Sequence, residues 1–521
     1  MSKSYWIKIT ILTMMITVLS RVLGFFRETA IAAFFGASSQ SDAFFVAYSL
    51  PGILFSTIAS AIGTTFIPVY SRLSEEKKER FLNNITSIIG LMSLLLTIIS
   101  ICFAPYLVKI FAFGFDDNTY KLTVHLTIIM LITIIFLSLN AIFNAYLQSH
   151  SKFLIPSAIG IPYNSLAIIY LLLFGNFFGI EGFTWMIVIS TVVQVLFQFP
   201  AIKKVGWNYR FVLDLRDPGI QQVLTLVGPV FLGSMAGQVN VLVDRMLASS
   251  LSEGSISALN YANKVMQLSM GIIVVSILSI LYPRLSEAAG KNLLEEVNKY
   301  TKYAVKILFL ILIPVTLGGI VLAYPIIQLL FERGAFSATD TEMTSGAFLY
   351  FNLGIVGLGL LTLFERVYFA FQETKVPVMN GLISLGINIL LNFLLVGPMA
   401  HNGLALATSI SLTVSSVLII GPLTKKIGVI FDREVYLTFL KALVMSILMA
   451  CFLYFSVNNS SVFVTTSPLW YRLLWLITLI FFGAVFYSLG LLFLRETTIL
   501  EYINFIINKA KRNKKISSSK S

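Results

Sequence analysis

Two cysteines in 521 residues, Cys102 and Cys451, are too few for a disulfide scaffold, and both lie inside apolar runs, where buried thiols are expected rather than a disulfide or metal pair. Three scattered histidines, His125, His150 and His401, give no metal-ligand spacing. Charge is scarce as well. Charged residues make up 12% of the chain, about half the share usual for a soluble domain. These shortages exclude a soluble enzyme, a disordered protein and a secreted disulfide-stapled domain. What is abundant is apolar: 57% of residues. A membrane-spanning helix takes about 20 such residues, so the supply suffices for about 14 spans.

Polar breaks divide the chain into about 14 apolar segments, approximately 6–35, 41–71, 83–112, 120–148, 153–175, 180–202, 219–250, 255–283, 300–330, 343–372, 376–398, 402–424, 435–457 and 469–494. The first carries Arg21 and Arg27 and has no small-residue cleavage site, so it reads as a permanent helix rather than a signal peptide. The expected fold is an all-α polytopic membrane protein.

The net charge of +13 is explained by where the cations fall. With the N-terminus in the cytoplasm, inside loops hold Arg72, Lys77, Lys78, Arg80, Lys152, Lys203, Lys204, Arg210 and Arg216. Further along they hold Arg284, Lys291, Lys299, Lys302, Lys375, Lys425, Lys426 and Arg433, and the tail adds Lys509, Lys511, Arg512, Lys514, Lys515 and Lys520. Outside loops hold Arg333, with Lys109, Lys121 and Arg472 at segment edges. This is a positive-inside pattern with both termini cytoplasmic. It makes the basic excess a matter of topology and lipid attraction, and no loop is long enough for a nucleic-acid-binding domain.

An internal repeat is also visible. Ser71-Arg72-Leu73-Ser74-Glu75 resembles Pro283-Arg284-Leu285-Ser286-Glu287. Tyr48 pairs with Tyr261, Gln148 with Gln372, Asn164 with Asn388, and Glu181-Gly182 with Asn402-Gly403, at offsets of about 212–224 residues. Six spans separate the members of each pair, so the halves share one orientation, as in transporters with a central site between two lobes.

Some charges fall where lipid should be. A cation at the bilayer centre costs about 2.5–3.5 kcal/mol on insertion scales. Arg21, Arg27 and Glu28 lie in the first segment, Asp42 opens the second, Asp244 and Arg245 lie in the seventh, Lys264 in the eighth, and Glu365 and Arg366 in the tenth. Arg245 and Arg366 read as snorkelling or locally paired. Arg21, Arg27 and Lys264 read as functional. On an ideal helix Arg21 and Arg27 point about 240° apart, so a break at Gly24 is expected to turn both toward one cavity, with Glu28 partly neutralising Arg21. Cations lining one cavity call for an anionic cargo, and a diphosphate matches guanidinium forks.

Several stretches together resemble the MurJ (MviN) lipid II flippases. They are Ser20-Arg21-Val22-Leu23-Gly24-Phe25-Phe26-Arg27-Glu28, Ser41-Asp42-Ala43-Phe44-Phe45, Phe66-Ile67-Pro68 and Val243-Asp244-Arg245. Ala258-Leu259-Asn260-Tyr261-Ala262-Asn263-Lys264, Glu332-Arg333-Gly334-Ala335-Phe336 and Gly403-Leu404-Ala405-Leu406-Ala407-Thr408-Ser409 continue the likeness to the twelfth segment. The resemblance implies the multidrug/oligosaccharidyl-lipid/polysaccharide exporter fold. Its two six-helix lobes would be 1–204 and 205–430, followed by two helices in 431–495 that form a lipid-tail groove and a basic tail, 496–521. It implies a bacterial cytoplasmic-membrane transporter, not an enzyme, which moves undecaprenyl-diphosphate-linked peptidoglycan precursor outward by alternating access. Implied partners are lipid II, membrane lipids and cell-wall synthesis proteins. Arg21, Arg27, Lys264, Asp42 and Glu28 are the expected substrate-binding residues. Lys264 stands where the family usually has arginine, and Phe55, Ser56 and Ser60 replace its basic pair and acid. A sodium site of some members maps onto Asp244, Asn388, Asn392, Leu404 and Thr408, with Na+ as a coupling ion. Asn392 replaces a carboxylate of that pattern, so binding is expected to be weak or absent.

Three other functions compete. A flippase for another undecaprenyl-diphosphate-linked glycan, of O-antigen or capsule type, would use the same cations. A drug exporter would call for cavity acids. A membrane enzyme would need a general base or metal near the surface, and the outer acidic pairs Asp116 with Asp117, and Asp340 with Glu342, read instead as solvated loop ends.

Overall fold

The computed structural model describes residues 3–460 and 467–500; within these, the side chains of 3–7, 56–61, 64, 224 and 226–236 are not described. Ser56 and Ser60, two of the three departures on the second segment, and the tail beyond residue 500 fall outside that description.

All regular structure among the described residues is helical: α1 (Lys3–Phe35), α2 (Ser39–Arg72), α3 (Glu75–Cys102), α4 (Ala104–Phe111), α5 (Asp117–Leu131), α6 (Thr133–Ser149), α7 (Leu154–Ala158), α8 (Gly160–Val205), α9 (Pro218–Ser249), α10 (Ser255–Gly290), α11 (Leu294–Val321), α12 (Ala323–Phe331), α13 (Ala338–Leu353), α14 (Ile355–Ala370), α15 (Lys375–Leu418), α16 (Ile420–Ile427), α17 (Arg433–Asn458) and α18 (Leu469–Phe493). Among the described residues, 9 helices are long and apolar enough to cross a membrane, and a bent pair, α13 with α14, adds a tenth. Two of the nine, Leu154–Val205 and Lys375–Ile427, run to 52 and 53 residues, far beyond the 20 or so that one crossing takes.

The cause is a single residue in each. Gly179 (φ 56°, ψ −153°) and Ala400 (φ 50°, ψ −134°) leave helical geometry inside α8 and α15. These breaks coincide with the polar gaps between segments 153–175 and 180–202, and between 376–398 and 402–424. Three residues past each break stands a glycine whose Cβ would collide: at Gly182 with the Tyr170 hydroxyl at 2.3 Å, at Gly403 with the Leu395 carbonyl oxygen at 2.3 Å. The matched pairs Glu181-Gly182 and Asn402-Gly403 are therefore a close-packing device used twice. The element order repeats with the same offset: α3 and α11 begin 219 residues apart, as do α4 and α12, and the two breaks lie 221 apart.

The chain packs into two compact units. One holds residues 1–268, 331–344 and 389–404. Its core gathers Phe66, Phe81, Ile142, Tyr146 and Trp207, all buried. The other holds 269–330, 345–388 and 405–521. There α11 packs on α17, with Phe309 edge-on to Phe439 at 5.1 Å, and the Tyr487 hydroxyl of α18 donates to the Leu310 carbonyl at 2.8 Å. At the Arg433 end of α17, Lys302 pairs with Asp432 at 2.7 Å and Lys306 with Glu434 at 2.7 Å. Burial raises the Asp432 pKa, but Lys302 and the Val435 N–H outweigh it and hold the carboxyl below its ordinary range.

The outer acidic pairs divide. Asp116 caps α5, accepting from the Asn118 and Thr119 N–H groups, and the Thr119 hydroxyl holds its pKa down. Asp340 is not merely a solvated loop end: it accepts from Ser337 N–H at 2.9 Å and from Ala37 N–H at 3.3 Å, which fastens the turn between α1 and α2.

Candidate functional site

α1 is continuous through Gly24, so the expected break is not there. Gly24 instead faces the Asn164 side chain, which a Cβ there would meet at 3.6 Å, and Asn164 donates to the Ser20 carbonyl at 3.3 Å. A glycine in an apolar helix serves close approach as readily as bending. Arg21 and Arg27 consequently keep their helical separation: Arg21 is exposed and Arg27 is buried at 6% exposure.

Arg27 is the centre of the site. Its Nη2 donates to Glu28 Oε1 at 2.7 Å. Its guanidinium lies 5.5 Å from the ring centre of Tyr48 on α2 and 5.3 Å from that of Tyr163 on α8. The Tyr163 hydroxyl donates to Tyr48 Oη at 3.3 Å, closing the cage. Two aromatic faces supply the attraction that replaces lost hydration. Glu28 also accepts from Asn260 Nδ2 on α10 at 3.3 Å, so it serves Arg27 and not Arg21. The Arg27 Nε, buried, has no hydrogen-bond partner among the described residues. Lys264 is half-buried and within electrostatic reach of Tyr48; Arg245, read from sequence as merely paired, is within reach of Glu28 and Asp42. Tyr48 and Tyr163 also border a cavity of about 260 Å³ whose other lining includes Thr133, Thr191 and Gln194.

Asp42 does something different. It accepts from Gly254 N–H at 2.8 Å and from Ser257 through both its N–H, at 2.7 Å, and its hydroxyl, at 2.5 Å. These donors lie at the start of α10, so Asp42 acts as a cap supplied by another helix. Around it the turns interlock: Tyr261 hydroxyl donates to Gly36 carbonyl at 3.1 Å, and Ala335 N–H to Ala33 carbonyl at 2.8 Å. Gly334, at φ +61°, must be glycine here, since a Cβ would sit 2.2 Å from the Ala33 oxygen. The motif Glu332-Arg333-Gly334-Ala335-Phe336 thus seals one end of α1 and α2.

Of the residues expected to hold sodium, Asn392 donates to Asp244 Oδ1 at 2.7 Å in the first unit, and Asn388 donates to Thr408 Oγ1 at 3.3 Å in the second. An amide N–H aimed at the carboxylate stands where a cation would be attracted, and one carboxylate is all the charge this set supplies. The Asp244–Asn392 bond joins α9 to α15, and the Asn388–Thr408 bond joins the two arms of α15 across its break at Ala400.

Tyr48, Tyr163 and Asn260 were not among the residues expected from sequence. Tyr48 and Asn260 lie in stretches already singled out, but a tyrosine in an apolar helix carries no mark of facing a cation.

Residues 31–474 match the family described as Lipid II flippase MurJ. A probable lipid II flippase MurJ of Rickettsia prowazekii (strain Madrid E) is 30% identical over 403 residues, 76% of this chain and 79% of that protein. One from Haemophilus influenzae (strain ATCC 51907 / DSM 11121 / KW20 / Rd) is 27% identical over 500 residues, 92% of this chain and 98% of that one. Among solved structures, lipid II flippase MurJ in an inward closed conformation superposes with a TM-score of 0.80 at 28% identity, covering 93% of this chain and 99% of its own. A multidrug resistance MATE family transporter of the MOP superfamily, inward-facing, gives 0.65 at 14% identity over 84% of this chain and 96% of its own, a likeness of fold alone. With a family match over most of its length and the motif residues gathered around Arg27 and Asp42, this chain belongs to the MurJ lipid II flippase family.

Proposed function

We propose that this chain is a transporter, not an enzyme, that carries lipid II from the inner to the outer leaflet of the bacterial cytoplasmic membrane, and that Arg27 receives the diphosphate. One observation carries the assignment of Arg27: a buried guanidinium whose Nε lacks a partner among the described residues. Buried donors are nearly always satisfied, and this one, beside two tyrosine rings and near Lys264 and Arg245, is available to an oxygen acceptor that the cargo brings. A phosphate oxygen fits, because guanidinium nitrogens match its spacing in pairs. Lys264 and Arg245 add long-range attraction, and Arg21, on the exposed side of α1, meets the anion earlier on its path.

Glu28 and the two tyrosines hold the guanidinium in place while the cargo is absent. The interlocked turns around Asp42 form the outer seal, which must part for release. The helices in 431–495 receive the lipid tail, and both termini are cytoplasmic. The bridges at Asp244 and Asn388 do their work without sodium.

The test is rescue of a strain depleted of its own lipid II flippase, with Arg27→Ala and Arg27→Lys compared at equal membrane levels. Arg27→Ala should abolish rescue, and Arg27→Lys should restore it only in part, since the fork is lost. Full rescue by Arg27→Ala would remove Arg27 from the transport path.

A further inference from the structure

Between α8 and α9 the chain reads Trp207-Asn208-Tyr209-Arg210-Phe211-Val212-Leu213-Asp214-Leu215-Arg216. It is non-helical, and turns only at its end. Apolar side chains fall on the odd positions, and the even ones are polar or charged apart from Val212. In an extended chain successive side chains point to opposite faces, so this segment has one apolar face and one charged face.

The structure holds the segment flat along the start of α3. Arg210 N–H donates to Asn83 Oδ1 at 3.1 Å, Val212 N–H to Ser87 Oγ at 3.3 Å, and Asp214 N–H to Asn84 Oδ1 at 2.9 Å. Asn84 returns a bond from Nδ2 to the Asp214 carbonyl at 2.8 Å. Arg80 pairs with Asp214 at 3.1 Å, and the Trp207 indole donates to Asn83 at 2.9 Å. Asn83, Asn84 and Ser87 are themselves buried. The N–H groups of 210, 212 and 214 are thus fastened to one helix. Trp207 is buried as an anchor, and Tyr209 packs edge-on to it with its hydroxyl 3.0 Å from Ser87 Oγ, but Phe211, Leu213 and Leu215 are 65%, 54% and 60% exposed.

We propose that residues 207–216 form an amphipathic strap lying on the inner leaflet, with Phe211, Leu213 and Leu215 in the upper acyl region and the charged face among anionic headgroups. Three observations choose a lipid surface as the occupant. The strap is fastened at the start of α3, itself long and apolar enough to cross a membrane, so its exposed apolar side chains stand at the level where that helix enters the bilayer. Lys203, Lys204, Arg210 and Arg216 are all exposed beside it, and cations near the surface are attracted by anionic lipid. An extended chain also turns alternate N–H groups away from α3, and such groups need water or headgroups, which sets the depth at the interface rather than in the hydrocarbon. The proposal rests on reading the chain as membrane-spanning with this loop inside, but not on its cargo.

The test uses full-length protein with Cys102→Ser and Cys451→Ser, and single cysteines carrying a nitroxide at positions 209 to 216. The protein is reconstituted in vesicles of phosphatidylcholine and phosphatidylglycerol in equal parts. Accessibility is read against molecular oxygen, concentrated in lipid, and against a water-soluble nickel chelate. Labels at 211, 213 and 215 should favour oxygen and those at 210, 214 and 216 nickel, in alternation. In vesicles of phosphatidylcholine alone the labels at 211 and 213 should sit shallower. Asn84→Ala should weaken the alternation. Uniform nickel access along the segment would overturn the strap, and equal depth in both lipids would overturn the role of anionic headgroups. Because transport is not the readout, a failure here is distinct from a failure of the flippase assignment.

Discussion

Arg27 and Asp42 were read alike from sequence, as charges lodged in apolar segments, yet they occupy opposite situations. Arg27 has an open donor; the Asp42 carboxylate accepts three hydrogen bonds. Insertion cost marks both and cannot tell a charge with an open donor from one that fastens two helices. The cage of Tyr48 and Tyr163 was invisible for a related reason: its members come from three helices, and only the fold brings them together. The contrast yields a prediction. Asp42→Asn puts an NH2 where one carboxylate oxygen accepts from N–H or O–H donors. Leaving such buried groups unmade costs about 1–3 kcal/mol, comparable with the few kcal/mol that separate two states of a protein. The seal should therefore open more often. A cysteine at the fully buried Ala258, in a background free of other cysteines, should react several-fold faster with an impermeant thiol reagent once Asp42→Asn is added. An unchanged rate would show that Asp42 does not hold the outer end shut.

The breaks in α8 and α15 show what sequence could reach at the level of elements. Apolar segment limits located both gaps, because the chain must become polar where it meets water. The backbone event was not legible: Gly179 suits a positive φ, but Ala400 takes φ 50° with a Cβ that disfavours it. Short pieces such as α4 and α12 were missed too, absorbed into longer apolar runs that hydropathy cannot subdivide. Ala400→Gly should stabilise the protein by about 1 kcal/mol and Gly179→Ala should destabilise it by a similar amount, read as opposite shifts in thermal unfolding in detergent. Gly403→Ala should cost more than Gly179→Ala, since its Cβ meets a carbonyl oxygen while the one at Gly179 meets nothing within 4 Å. The α11–α17 junction gives a pH-dependent counterpart. Asp432 has a lowered pKa when folded, so its contribution is complete above the ordinary carboxyl value, about 3.9, and disappears as pH falls through the lower folded value. Asp432→Asn should lower the unfolding temperature at neutral pH, and the gap to the parent should close in strong acid.

For the whole molecule the decisive quantity is the charge that moves with the cargo. Around Arg27 the formal charges balance: Arg27, Arg245 and Lys264 against Glu28, Asp42 and Asp244. The empty site is then close to neutral, and its return across the membrane field does little electrical work. A bound diphosphate adds about two negative charges, and the field is worth about 2.3 kcal/mol per charge per 100 mV. With the inside negative, outward movement of that anion is favoured by up to roughly 4–5 kcal/mol per 100 mV. The loaded step should therefore sense the potential and the return step should not, which gives net export without an ion site. Asn392 standing where a second carboxylate would be needed, with its amide donated to Asp244, fits that division. In vesicles whose potential is set by a potassium gradient and valinomycin, export of lipid II should quicken as the compartment facing the basic loops is made negative. Replacing all sodium by choline should leave the rate unchanged at fixed potential. A rate that ignores the potential but collapses without sodium would transfer the driving role to the residues around Asp244.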